Sequence, residues 1–182
     1  MKSIKTKRYI LRTVESNDAE NIYKILSNEK VISTLNMDIH QSINDTYKLL
    51  NSYLEELSKK TKFPFAIINK ETNEFIGVFL IKLDLYDDDC FEFTIYLDEK
   101  HWGKGIYKEV LPYMIRFAFE DIGTGNFRGF VMEKNLISAN VLSKSGFNLE
   151  KIFEVPGIEG KILSFLITKD VYMNKIKKEF LI

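Results

Sequence analysis

The chain has 182 residues, 45% of them hydrophobic, with 26 Lys plus Arg against 26 Asp plus Glu. That length and apolar content suit one folded domain with its own core and exclude a disordered or fibrous chain. The zero formal net charge removes the electrostatic footprint of broad nucleic-acid binding. One cysteine, Cys90, allows no internal disulfide and no multi-cysteine metal site. It reads as a small buried residue, because neither His40 nor His101 stands beside it in sequence.

Arg8 to Val14 alternates apolar and polar residues, as a strand does. Ser16-Asn17-Asp18 offers N-cap side chains, and Ala19, Ile22, Tyr23, Ile25 and Leu26 follow at helical spacing. Lys30 to Leu35 suggests a short second helix. Ser42 with Asp45 three residues on resembles a capping box and opens a third, ending near Lys59-Lys60. Strands are predicted for Phe65 to Asn69 and Phe75 to Leu83, with a turn at Glu71-Thr72-Asn73-Glu74 and Gly77 as a bulge or close-approach point. Asp87-Asp88-Asp89 reads as a solvated loop. Phe91 to Leu97 is the next strand, with Phe91, Phe93, Ile95 and Leu97 on one face and Glu92, Thr94 and Tyr96 on the other.

Gly105 to Phe119 is a predicted helix that Pro112 interrupts. Phe127 to Met132 is a strand, and Leu136 to Ser145 a helix closed by Gly146. Phe147 to Glu154 and Ile162 to Lys169 are the last strands, and Asp170 is positioned to cap a terminal helix. No repeat or linker divides the series, so the fold class is α+β, one domain with a mixed sheet. No apolar run approaches the ~20 residues of a membrane span, and the lysine-rich start leads into no apolar signal region. A soluble cytoplasmic protein follows as the expectation. No His, Cys and carboxylate grouping has metal-ligand spacing, so no metal is expected.

Trp102-Gly103-Lys104-Gly105-Ile106-Tyr107 stands between a strand and a helix. The first N–H groups of a helix lack internal partners and lie at the positive end of its dipole. Glycines let those amides approach an anion, and Lys104 adds a cation. Read alone, the pair of glycines makes either a tight connection or a phosphate cradle. Lys108 stands where a dinucleotide fingerprint needs its third glycine, and Gly105 where a nucleotide-triphosphate loop would continue with a lysine's Ser or Thr.

With these segments in place, the chain resembles the GNAT superfamily of N-acetyltransferases, and most of all its RimJ/RimL-like branch. The resemblance rests on Thr6-Lys7-Arg8-Tyr9-Ile10-Leu11-Arg12, Asp18-Ala19-Glu20, Glu29-Lys30-Val31, Phe65-Ala66-Ile67, Phe75-Ile76-Gly77, Glu92 to Leu97, Trp102 to Gly105, Asn135-Leu136-Ile137-Ser138 and Lys144-Ser145-Gly146-Phe147. It implies a mixed, mostly antiparallel central sheet with splayed middle strands and helices on both faces. It also implies acetyl-CoA as co-substrate, its pyrophosphate on the amides of Trp102, Gly103, Lys104, Gly105, Ile106 and Tyr107. The pantetheine arm would lie in the gap between the splayed strands, beside Tyr96, Leu97, Asn135 and Ser138. Tyr107 stands where the family usually has Gly or Ala; binding survives if its ring points away, and the ring crowds the site if it does not.

The implied reaction is direct attack of a neutral amine on the acetyl thioester. Glu92 is the candidate base, directly or through water, or else the partner of a nearby cation. The family's usual tyrosine donor is replaced by Leu142, and Ser138, one turn after Asn135, is the candidate that assists the departing thiolate; otherwise it is a small packing residue. Tyr96 either lines the acceptor channel or belongs to the core. His101 reads as a surface or phosphate-edge residue. The acceptor is a protein N-terminus or another amine, the assembly a monomer or homodimer, and the alternative function a non-catalytic acyl-CoA-binding module. The acceptor pocket is expected from Ile22 to Leu57 and from the Pro156–Gly160 turn.

Overall fold

The computed structural model describes residues 1–35 and 37–177. They divide into two compact units that exchange the chain in mid-strand and mid-helix: Met1–Lys82 with Ile95–Val110, and Leu83–Thr94 with the described residues from Leu111 onward.

The first unit opens on β1 (Ile4–Lys5) and β2 (Tyr9–Thr13), continues through α1 (Ala19–Leu26), α2 (Glu29–Ile32) and α3 (Ile43–Ser58), and returns in β3 (Lys62–Asn69) and β4 (Phe75–Leu83). Strands β1 to β4 are neighbours in sequence order, all antiparallel, as short connections allow. The C-terminal end of β5 (Cys90–Leu97) follows beside β4. Helix α1 buries Ala19, Ile22, Ile25 and Leu26, and α3 buries Thr46, Leu50 and Tyr53, a stripe at i, i+4 and i+7. All of these except Thr46 form one core with Val14, Val31, Ala66, Ile68, Val78, Leu80 and Tyr96.

Local chemistry explains the boundaries. Ser42 and Asp45 exchange side-chain-to-backbone hydrogen bonds at the start of α3, the capping box expected there. Asp18 behaves differently from expectation. It makes no side-chain cap on α1 itself; it closes the 3-10 turn Ser16–Asp18 before α1, taking the amide of Glu15 at 2.8 Å in a capping box, while its carboxylate also takes a forked pair from Arg12 at 2.8 and 2.7 Å. The guanidinium fork matches two carboxylate oxygens better than a helix amide matches one. β1 appears where no element was predicted, since two residues carry no period. β3 starts at Lys62, three positions before the predicted Phe65, and it includes Pro64. Gly77 has the reason expected of it: a Cβ there would fall 2.2 Å from the Tyr96 carbonyl oxygen. The ladder between β3 and β4 slips at the same place, with Ile67 opposite Gly77 and Ile68 opposite Phe75.

The second unit holds Cys90–Thr94 of β5, the later part of α4 (Ile106–Arg116), a wide turn over Phe117–Ile122, β6 (Asn126–Met132), α5 (Leu136–Lys144), β7 (Asn148–Glu154), β8 (Lys161–Thr168) and α6 (Lys169–Val171). The strand order is β5-β6-β8-β7. β5 and β6 are parallel; β6 with β8 and β8 with β7 are antiparallel. Phe93, Phe119, Phe127, Phe147 and Tyr172 pack ring against ring, with centroids 4.8–6.5 Å apart. α6 is capped by Thr168, whose hydroxyl accepts the Val171 amide at 3.4 Å, rather than by Asp170. Asp89 in the acidic loop is not merely solvated, because it accepts the Gly125 amide at 2.7 Å.

Candidate active site

Trp102 to Tyr107 leaves the end of β5 through a short 3-10 turn, Glu99–His101, and enters α4. Gly103 and Gly105 adopt φ of +72° and +71°, a region that costs residues with a Cβ roughly 1–2 kcal/mol. Lys104 between them keeps the ordinary negative sign. Alternating hands of this kind turn successive amides toward one side, a concavity that receives anions. Among the described residues, no backbone amide from Gly103 through Lys108 finds an acceptor; the first bond of the helix is Glu109 N–H to Gly105 O at 3.2 Å. Gly103, Lys104 and Gly105 are exposed, so a ligand can reach their amides.

Side chains hold the loop from outside. The Trp102 indole donates to the Leu97 carbonyl at 3.1 Å, folding the loop back on the strand that precedes it. Arg8 donates to the Lys104 carbonyl at 3.0 Å. The Arg8 guanidinium and amide also donate to Glu109, at 2.6 and 2.7 Å, and the Thr6 hydroxyl joins them at 2.6 Å. Burial pushes the Glu109 carboxyl up, but those three donors more than offset it, and the group lies below its ordinary value. Arg8 and Glu109 are 101 positions apart, and no local signal in the sequence joins them.

Other candidates of the first unit fall into place around the loop. The Tyr96 side chain is 2% exposed and belongs to the core beside Tyr53; the channel-lining alternative for its ring is therefore set aside, and what it offers a ligand is backbone. Its phenol is raised well above its ordinary value by burial and by Tyr53. His101 is not a surface residue. It is 7% exposed, lies 3.5 Å from Glu74, and burial lowers its pKa. Tyr107 is half-buried, on the stripe of α4 that continues through Leu111 and Met114, and burial raises its phenol.

In the second unit, Asn135 is the N-cap of α5, its side-chain oxygen accepting the Ser138 amide at 3.1 Å. The structure thus joins these two predicted residues. The Ser138 hydroxyl is half-buried and has no hydrogen-bond partner among the described residues. Glu92 is half-buried and stands opposite Arg128 in the parallel ladder, which ends at Phe93 opposite Gly129. Arg128 itself donates to Asp84 and to both oxygens of Glu150, the latter at 3.1 and 3.2 Å. Leu142 is fully buried and packs over Gly129, where a Cβ would fall 3.2 Å from it and 2.8 Å from the Phe93 ring. Cys90 is buried and its thiol pushed up to about 12, chiefly by burial, which leaves it unreactive near neutral pH. No group of three His, Cys, Asp or Glu able to hold a metal occurs among the described residues.

Residues 8–148 match the acetyltransferase (GNAT) domain family, and the chain belongs to that family. It is an acetyl-CoA-dependent N-acetyltransferase. The probable N-acetyltransferase YjcK of Bacillus subtilis is 28% identical over 154 residues, covering 82% of this chain and 85% of that protein. Two crystal structures share the fold. The spermidine N-acetyltransferase from Vibrio cholerae in complex with CoA and spermine superposes with a TM-score of 0.81 at 19% identity, over 92% of this chain and 99% of that one. The ribosomal-protein-S5-alanine acetyltransferase from Vibrio fischeri gives 0.81 at 18% identity, over 93% and 98%.

Proposed function

We propose that the protein is a RimJ/RimL-like enzyme acting as one domain in the cytoplasm, where it acetylates a primary amine on a protein N-terminus or a small molecule. The observation that carries this reading is the row of amides from Gly103 through Lys108 without acceptors, bent by two left-handed glycines at the start of a helix. A pyrophosphate fits that row, because it needs several convergent N–H donors and the positive end of a helix dipole.

Acetyl-CoA supplies the thioester that the amine attacks. The chain's own residues do the rest. The loop amides from Gly103 to Tyr107 hold the phosphates; the Trp102 amide, expected among them, is spent on the Glu99 carbonyl at 3.0 Å, and Trp102 serves the loop through its indole. The backbone of Tyr96 and Leu97 and the side-chain amide of Asn135 steady the pantetheine arm. Glu92 takes the amine proton, through water. The Ser138 hydroxyl donates to the sulfur as it leaves; its lack of a partner within the protein supports this role, whereas buried Leu142 has no proton to give. The acceptor enters past α1 to α3. The balanced charge supports the absence of broad nucleic-acid binding, and no described helix is long and apolar enough to cross a membrane. The protein works as a monomer or homodimer.

Release of free thiol from acetyl-CoA in the presence of polyamines, amino sugars and peptides with free N-termini tests the reading. Turnover is expected with at least one of these acceptors. Tight coenzyme A binding with no turnover on the whole panel would replace it with that of a non-catalytic acyl-CoA-binding module.

A further inference from the structure

We propose that Arg8 is a positioning residue for the phosphate loop: it clamps the Lys104–Gly105 peptide so that the Gly105 N–H faces the anion. The proposal rests on the acetyl-CoA reading above and adds a residue from the first strand region to it.

The argument begins with glycine. A glycine at φ +71° is free to leave that conformation, since it visits either hand at similar cost. A loop of exposed glycines is therefore poorly organised unless something outside it fixes the peptide planes. Two peptides flank Gly105. The carbonyl of the first, on Lys104, is taken by the Arg8 guanidinium at 3.0 Å. The carbonyl of the second, on Gly105 itself, is taken by the Glu109 amide at 3.2 Å. In a trans peptide the C=O and N–H point to opposite edges of the plane. Holding the Lys104 carbonyl against Arg8 therefore turns the Gly105 amide away from that side chain, and the helix's own first bond at the Gly105 carbonyl fixes the peptide that carries the Ile106 amide. These are two of the amides that have no acceptor in the protein.

The clamp is itself held. Glu109 accepts the Arg8 guanidinium, the Arg8 amide and the Thr6 hydroxyl at 2.6, 2.7 and 2.6 Å, so the connection between β1 and β2 is tied to the first turn of α4 by three bonds. The Lys70 ammonium adds a bond to the Lys7 carbonyl at 3.3 Å. The Arg8 side chain remains 45% exposed, and it offsets the negative charge of Glu109 beside an anion site. A lysine could not replace it in full, because only a planar fork reaches a carboxylate and a carbonyl in fixed directions.

The test is the affinity of Arg8→Ala and Arg8→Lys for coenzyme A by calorimetry, with melting curves to show that each variant is folded. A loss of about tenfold is expected for Arg8→Ala, the size of one charge-assisted hydrogen bond, with Arg8→Lys between it and the wild type. In turnover, the KM for acetyl-CoA rises by the same factor while kcat stays within about twofold; a role confined to tying down the N-terminus would lower the active fraction and leave KM alone. Unchanged affinity in folded Arg8→Ala overturns the proposal, as does an Arg8→Lys equal to wild type, which would mean that charge suffices without the fork. A wild type that binds coenzyme A but turns nothing over sinks the acetyl-transfer reading only. A wild type that does not bind coenzyme A sinks both.

Discussion

Helices α4 and α5 both follow a strand closely, yet they begin in opposite ways. α5 is closed by Asn135, whose side-chain oxygen takes the Ser138 amide. α3 is closed in the same spirit by Ser42 and Asp45. α4 has no such cap among the described residues, and its entering loop presents amides that nothing in the protein satisfies. A missing cap costs a helix about 1 kcal/mol, and two left-handed glycines add backbone entropy lost on folding. The difference teaches that α5 begins on a side-chain cap from within the chain, whereas α4 begins without one, as the proposed phosphate loop requires.

The sharpest way to break this contrast is to give α4 the cap that it lacks. Gly105→Asp places a carboxylate among the bare amides at a φ that Asp tolerates better than most residues. Coenzyme A affinity is expected to fall at least about 100-fold from charge repulsion alone, and binding that survives in calorimetry would refute the phosphate-loop assignment. On the α5 side, Ser138→Ala removes a hydroxyl that the cap does not use. The expected result is a kcat lower by about tenfold, a hydrogen bond to developing charge, with coenzyme A affinity unchanged. An equal loss in Kd would make Ser138 a binding residue instead.

Asn135→Ala removes the cap itself. The expected cost is about 1 kcal/mol, a melting midpoint lower by about 2–4 °C for a chain of this size; a midpoint that does not move would show the cap to be unimportant. The smallest effect is the acid sensitivity of the clamp behind α4. Glu109 has a folded pKa below its ordinary 4.5, so between the two values the unfolded chain binds more protons and stability falls as pH falls. The clamp is at full strength above pH 4.5 and is lost as the pH drops through the folded value. Glu109→Gln should show a shallower decline of the melting midpoint over that window, and a decline identical to wild type would deny the carboxylate its role.

Much of this architecture was legible because its signals are local. The alternation in Phe91 to Leu97, the capping box at Ser42 and the glycine closing α5 at Gly146 all act within a few residues, and each element stands where its pattern put it. Where a side chain had a choice of partners, locality misled. Asp18 looked like the cap of α1 and instead closes the 3-10 turn before it while pairing with Arg12; Thr168 capped the last helix in place of Asp170; His101 looked exposed and is buried. In each case the partner or cover comes from backbone geometry or from a strand that a linear pattern does not show.

By itself, the sequence determined the order of the longer strands and helices, the glycines at 103 and 105, and the placing of Asn135 and Ser138 one turn apart, because these depend on spacing along the chain. The tertiary structure alone decided what stands behind the loop. Arg8 and Glu109 meet across 101 positions, and a contact at that separation is set by how the β1–β2 connection meets α4, not by any periodicity. It likewise decided that the Tyr96 ring belongs to the core, since both faces of a strand can be buried and only packing says by what.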